Sequence, residues 1–140
     1  MQFREWDDIP EFMKNEDVKK YYEILRKKRF SLKVKRFFDV TASFVLILFL
    51  SPVFLILSVW IKMDSKGPVY FKQERVTQYG RKFSIFKFRT MVINADRTGS
   101  LVTVQNDSRI TAVGRKIRKY RLDEIPQLFN ILAGDMSFVG

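Results

Sequence analysis

The feature that most constrains this chain is its uncharged run, Val40–Ile61 (VTASFVLILFLSPVFLILSVWI). At about 1.5 Å per residue, a straight helix of that length just crosses about 30 Å of hydrocarbon. The run starts too far from Met1 for an ordinary cleavable signal peptide. So apolar a helix would dominate the core of a soluble 140-residue chain, and a bilayer is therefore the expected surrounding. Two features argue against a plain span. Ser51-Pro52 sits near the middle, where proline removes one backbone hydrogen bond and crowds the preceding turn. A spanning helix tolerates such a kink where neighbours satisfy the freed groups. Both flanks are also basic, Arg26 to Arg36 before the run and Lys62, Lys66, Lys72 and Arg75 after it. Positive charge marks the cytoplasmic side, so two positive flanks favour both ends staying there. The expected form is a re-entrant helix-break-helix hairpin, broken at Ser51 and Pro52, that dips into one leaflet and returns.

Charge and missing residue types narrow the chemistry. Lys and Arg number 26 against 15 Asp and Glu, a formal charge of +11. That excess asks for an anionic partner: nucleic acid, an anionic lipid surface or a phosphorylated substrate. The apolar run argues against nucleic acid. The chain has no Cys and no His, which removes disulfides, a thiolate nucleophile, cysteine zinc sites and the usual general base. Catalysis would have to use carboxylates, Lys, Arg, Tyr or hydroxyls. A metal would be a hard, oxygen-bound ion such as Mg²⁺.

Residues 1–34 read as a polar, basic extension in which Val18, Tyr21, Tyr22 and Leu25 fall at helical spacing. The following Arg26-Lys27-Lys28-Arg29, with Lys33, Lys35 and Arg36, is either a solvated face or a contact for anionic headgroups. Beyond the apolar block, Lys66-Gly67-Pro68 reads as a turn. Val69-Tyr70-Phe71 and Phe83–Phe88 read as short strands joined through 76–82, and 94–106 as a polar loop. From Thr111 a basic amphipathic helix is predicted, with Val113, Ile117 and Tyr120 on one face, suited to lying on headgroups. A last helix carries Ile125, Leu128, Phe129 and Leu132 on one stripe and stops at Gly134. The fold class is α+β: a re-entrant membrane hairpin with a small cytosolic part of interfacial amphipathic helices and a short β-hairpin.

Two constellations can carry chemistry. In the first, Asp123 and Glu124 sit where a helix should begin, with Pro126 tolerated in its first turn. A helix N-terminus favours phosphate, and Arg118 and Arg121 would lower the carboxylate pKa values and hold more phosphate. Adjacent helical side chains point about 100° apart, so one carboxylate would attack or bind metal while the other orients it. The plainer alternative is an acidic first turn that complements the helix dipole. The second constellation is Lys87-Phe88-Arg89-Thr90-Met91 at a strand end, with Gln73 and Arg75 on the preceding strand. Lys87 and Arg89 either share a face and clamp a diphosphate, or form an exposed basic edge that resists aggregation.

Taken together, these segments resemble the monotopic phosphoglycosyl transferases, the bacterial sugar transferase family that starts glycan assembly on polyprenol phosphate. The likeness runs from about Lys35 to Gly140. It takes in Lys35-Arg36-Phe37-Phe38-Asp39, Ser51-Pro52, Gly67-Pro68-Val69, Gln73-Glu74-Arg75 and Lys87-Phe88-Arg89-Thr90-Met91. It continues through Asp107-Ser108-Arg109-Ile110-Thr111, Gly114-Arg115, Leu122-Asp123-Glu124-Ile125-Pro126-Gln127-Leu128-Phe129-Asn130 and Gly134-Asp135-Met136-Ser137-Phe138-Val139-Gly140. The order of these short motifs around one membrane block carries the resemblance.

The resemblance implies that a nucleotide diphosphate sugar, typically a UDP-sugar, gives its sugar phosphate to polyprenol phosphate and releases the nucleoside monophosphate. By the same resemblance Asp123 attacks the β-phosphorus to form a covalent phosphosugar, and Glu124 supports the site. Mg²⁺ is required, with the Asp123–Glu124 pair as its protein ligands, and Arg118 meets the lipid phosphate. Lys87, Arg89 and Arg75 are the further phosphate-binding candidates. The Ser51-Pro52 break corresponds to the family's hairpin, which makes the enzyme monotopic on the cytoplasmic face of the bacterial inner membrane. In the family a Pro-Arg-Pro motif and a further segment follow the equivalent of Gly140 and complete the nucleotide site. The chain is therefore expected to be truncated, with 1–34 as an extension, about 36–62 as the hairpin and about 63–140 as the catalytic part. The competing expectation is a non-catalytic, membrane-associated interaction module.

Overall fold

The computed structural model describes residues 4–93, 95 and 107–139. The loop expected over 94–106 thus lies outside the described residues except at Ala95. Asn15 opens the first helix, α1 (Glu16–Lys27), by accepting the N–H of Val18 at 2.8 Å. Glu16 and Asp17 occupy its first turn and Arg26 and Lys27 its last, each sign at the end the helix dipole favours. The segment before α1 folds back on it: Trp6 meets Tyr22 edge-on at 5.2 Å and Glu5 pairs with Arg29 at 2.9 Å.

The second helix, α2 (Arg29–Asp64), contains the whole apolar run. It is helical throughout, with Pro52 inside it, so the expected gap between two separate helices is not present. Proline removes one ladder bond, and the long flanking turns keep the helix assigned across it. The hydroxyls of Ser43 and Ser58 donate to the carbonyls of Asp39 and Phe54 one turn back, which hides both polar groups. Phe44, Val45, Leu48, Phe49, Leu55 and Ile56 are all more than half exposed. An apolar surface of that extent asks for a non-aqueous surrounding. Among the described residues α2 is the one helix long and apolar enough to cross a membrane.

The core is built on the C-terminal half of α2, where Phe54, Leu57 and Ile61 pack with Phe88, Val113 and Ile117. Two antiparallel strands follow, β1 (Tyr70–Val76) and β2 (Lys82–Phe88), with Phe71 opposite Lys87 and Arg75 opposite Phe83. β1 runs five residues past the Phe71 end expected for it, because its charged Gln73-Glu74-Arg75 stretch pairs along an exposed ladder. The third helix, α3 (Ala112–Lys119), starts at Thr111, whose Oγ1 accepts the Gly114 N–H at 2.9 Å. At Gly114 a Cβ would sit 2.1 Å from the Thr90 carbonyl oxygen, so α3 can approach the end of β2 only through a glycine. Tyr120 is 67% exposed instead of joining Val113 and Ile117, because α3 ends one residue before it. The fourth helix, α4 (Gln127–Ala133), stops at Gly134 with φ 97°, as expected. Its buried residues are Leu128, Asn130 and Ile131, whereas Phe129 is 40% exposed. The architecture is α+β.

Candidate active site

The chain leaves α3 through Arg121, whose φ of 54° lies in the left-handed region and reverses the backbone. A single 3-10 turn, Leu122–Glu124, comes next, and α4 begins only at Gln127. Asp123 and Glu124 therefore lie before the helix, not in its first turn. Successive side chains of a 3-10 turn diverge by about 120°, so the two carboxylates point apart. Lys87 Nζ stands 3.4 Å from Glu124 Oε1, and Arg121 Nη1 stands 3.9 Å from the same oxygen.

Asp123 is half-buried, and that burial raises its carboxyl pKa. The neighbouring Glu124 raises it further, while a backbone hydrogen bond and the charges of Lys87 and Arg118 pull it back. The expectation that flanking arginines would hold this carboxyl down thus fails, because desolvation outweighs them. Lys87, Arg118, Asp123 and Glu124 come together from β2, α3 and the turn before α4. Asp123 and Glu124 carry the hard carboxylate oxygens that Mg²⁺ takes, but on side chains that diverge, so each would offer its oxygens separately. Among the described residues no group of three or more acidic side chains that could hold a metal gathers, at this site or elsewhere.

Two of the expected phosphate ligands are placed outside this cradle. Arg89 does not share a clamp with Lys87. β2 ends at Phe88, so strand alternation no longer aims residue 89. Its guanidinium is buried and donates to the carbonyl of Ser65 at 2.6 Å, to Ser65 Oγ at 2.9 Å and to the carbonyl of Ile61 at 3.4 Å. Through Nη2 alone it ties the last turn of α2 to the residue that follows it, where a cation also opposes the helix dipole, while Nε and Nη1 are buried without a partner. A Cβ on Gly67 would lie 2.2 Å from Arg89 Nη1, and Gly67 itself has φ 127°, so glycine is needed there twice over. Arg75 is exposed and donates to Gln73 Oε1 at 3.2 Å on its own strand. Its rung of the ladder lies four residues, about 13 Å, from that of Lys87.

Four further arrangements carry no local signal or only a weak one. Arg36 donates to the carbonyls of Ile131 and Leu132 at the end of α4 at 2.6 and 2.9 Å, and Lys35 donates to the carbonyl of Val139. These two cations therefore face protein, not headgroups. Asp39, buried in α2, accepts from Ser137 Oγ at 2.8 Å. Asn130 bonds the outer edge of β2; the signal for it was a polar residue on an apolar helix side. Asp107 and Arg109 form a 2.6 Å ion pair that holds the Asp107 carboxyl down to about 2.

The chain belongs to the bacterial sugar transferase family, whose model matches residues 30–140. It is 46% identical over 107 residues to the UDP-N-acetylgalactosamine-undecaprenyl-phosphate N-acetylgalactosaminephosphotransferase of Aeromonas hydrophila, covering 76% of this chain and 25% of that protein. The undecaprenyl-phosphate glucose phosphotransferase of Komagataeibacter xylinus is 47% identical over 107 residues, 76% of this chain and 20% of the relative. The exopolysaccharide production protein PSS of Rhizobium leguminosarum bv. phaseoli is 44% identical over 110 residues, 78% and 55% of the two chains. The matches thus span between a fifth and about half of these relatives' lengths.

Proposed function

We propose that the chain carries the phosphosugar-transferring part of a phosphoglycosyl transferase acting on a polyprenol phosphate. The observation that carries this reading is the half-buried Asp123 set between Glu124 and the cations Lys87 and Arg118. A carboxylate raised by desolvation is more reactive than a solvated one, and nearby cations keep phosphate charge from repelling it. Asp123 attacks the β-phosphorus of a nucleotide diphosphate sugar, such as a UDP-sugar. The bond from that phosphorus to the bridging oxygen breaks, and the nucleoside monophosphate leaves with the electron pair. An oxygen of polyprenol phosphate then attacks the same phosphorus and frees the carboxylate. Glu124 orients the reacting group through its contact with Lys87, and Arg118 receives the incoming lipid phosphate. Mg²⁺ held by Asp123 and Glu124 would offset charge on the diphosphate.

The membrane part of the reading is a re-entrant α2 bent at Ser51-Pro52, with both ends on the cytoplasmic face of the bacterial inner membrane. On a straight helix Arg36 and Phe54 would stand about 27 Å apart. Both touch the short α4: Arg36 reaches the Ile131 and Leu132 carbonyls, and the rings of Phe54 and Phe129 lie 5.4 Å apart. Residues 129 and 132 are only about 5 Å apart along α4, which supports a bend between the two α2 positions. Lys116 stands 5.4 Å from the ring of Trp60 near the end of α2, a pairing suited to the headgroup layer. The catalytic cradle then opens where a lipid phosphate sits.

The test is transfer by the gene product carrying residues 1–140, in lipid nanodiscs with Mg²⁺, a nucleotide diphosphate sugar and polyprenol phosphate. Nucleoside monophosphate release is expected, and Asp123→Asn should lower it by about 10³-fold or more. Unchanged release in Asp123→Asn would sink the nucleophile assignment. Membrane retention without release from wild type would favour a non-catalytic interaction module.

A further inference from the structure

We infer that Asn130 is a positioning residue that sets the Lys87–Glu124 contact by acting as a one-residue strand on the open edge of β2. Among the described residues the sheet has two strands, so β2 pairs with β1 on one side only. On its other side, Phe86 N–H donates to Asn130 Oδ1 at 2.9 Å and Asn130 Nδ2 donates to the Ser84 carbonyl at 2.8 Å. A carboxamide presents a donor and an acceptor side by side, as a peptide unit does, so it can satisfy both groups at once. Asn130 is 1% exposed, so neither group has water as a substitute. Its own carbonyl accepts the N–H groups of Gly134 and Asp135 at 3.1 and 3.0 Å, which closes the end of α4.

Lys87 follows Phe86 directly, and Glu124 lies six residues before Asn130 across the start of α4. Two ties therefore join β2 to the Glu124–Asn130 segment. The Lys87–Glu124 tie is 3.4 Å long between side chains 26% and 39% exposed, too loose to hold its own geometry. The Asn130 tie is buried and bidentate. The buried tie fixes the spacing at which the exposed one works. Substitution should betray this in a graded way. Asp at position 130 keeps an acceptor for Phe86 N–H but loses the donor to Ser84, and Ala loses both.

This inference rests on the proposed function only for its kinetic arm. The direct test is ¹³C-NMR of reductively methylated lysines in the full chain, with the Lys87 signal identified by its loss in Lys87→Arg. Glu124→Gln should move the Lys87 signal, Asn130→Ala should move it equally, and the double variant no further. The Lys82 signal, from a 2.9 Å pair with Glu74, should stay in place and serves as the folding check. If Asn130→Ala fails that check, Asn130→Asp takes its place and must still displace the Lys87 signal. A Lys87 signal left at its wild-type position in a folded Asn130 variant would overturn the inference. In the kinetic arm, Asn130→Ala and Lys87→Ala should each slow phosphosugar adduct formation by about 10²-fold, and the double variant no further. Additive losses there would mean Asn130 acts on stability alone. Absence of any adduct in wild type would count against the proposed function, while the Lys87 signal still decides this point.

Discussion

The buried junction around Arg89 and the half-open cradle around Asp123 meet at Phe88, yet they treat charge in opposite ways. At the junction a cation 6% exposed donates to the Ile61 carbonyl in the last turn of α2 and to the Ser65 carbonyl just past it. In the cradle a carboxylate is half-buried beside another, and its pKa rises instead of falling. A charge anchored to fixed acceptors, even through the single nitrogen Nη2 while Nε and Nη1 are buried without a partner, holds structure together. One kept desolvated beside a like charge costs stability and is ready to react, which is how functional sites differ from structural ones.

The widest separation between the two regions should come from Lys87→Ala against Arg89→Ala. Lys87→Ala should slow adduct formation by about 10²-fold with little change in Tm, since a half-exposed ion pair contributes about 1 kcal/mol or less. Arg89→Ala should cost about 3 kcal/mol by denaturant titration, because carbonyls at the end of α2 lose a charged donor. Its adduct rate per folded molecule should stay near wild type. The reverse outcome, with Arg89 governing rate and Lys87 governing stability, would break the comparison.

Titration sharpens it next. The raised Asp123 pKa means adduct formation should fall as pH drops through a midpoint above the ordinary aspartate range of about 3.9. Glu124→Gln removes a raising charge and should move that midpoint down; Lys87→Met removes a lowering charge and should move it up. For stability the sign is the same as for any raised group. Its favourable contribution is present below the unfolded pKa and lost as pH rises through the folded one. Asp123→Asn should therefore be more stable than wild type at neutral pH and converge with it in acid. Asp107, held at about 2 by Arg109, behaves oppositely: its contribution is present above the unfolded pKa and lost as pH falls through about 2. Asp107→Asn should be less stable than wild type at pH 7, with the gap closing toward pH 2. The smallest effect is expected from Lys82→Ala, whose exposed pair with Glu74 should leave stability within the error of the same titration.

Much of this molecule is legible in its residues. Val40–Ile61 announces a long apolar helix by being uncharged, Thr111 and Gly134 mark helix ends by capping chemistry, and the basic Lys87 and Arg118 flank an acidic pair. These are local signals, set by neighbours in sequence. The division between Lys87 and Arg89 is not local, because it depends on where β2 stops and on the end of α2 lying against it. Asn130 is hidden for the same reason: its partners are Ser84 and Phe86, and nothing near it in sequence names them. The Asp123 pKa also resists local reading, since counting nearby arginines misses the burial that decides its direction. The helix across Pro52 stayed unbroken because a lost ladder bond is small against the long turns on either side.

Covalent modification of Asp123 is the step on which the proposed chemistry turns. Intact-mass measurement of the gene product carrying residues 1–140, incubated with a nucleotide diphosphate sugar and Mg²⁺ but no polyprenol phosphate, reads this in one step. A mass gain of one sugar phosphate is expected, lost in Asp123→Asn and discharged when polyprenol phosphate is added. An adduct that persists in Asp123→Asn, or turnover in wild type with no adduct at any time, would contradict that chemistry.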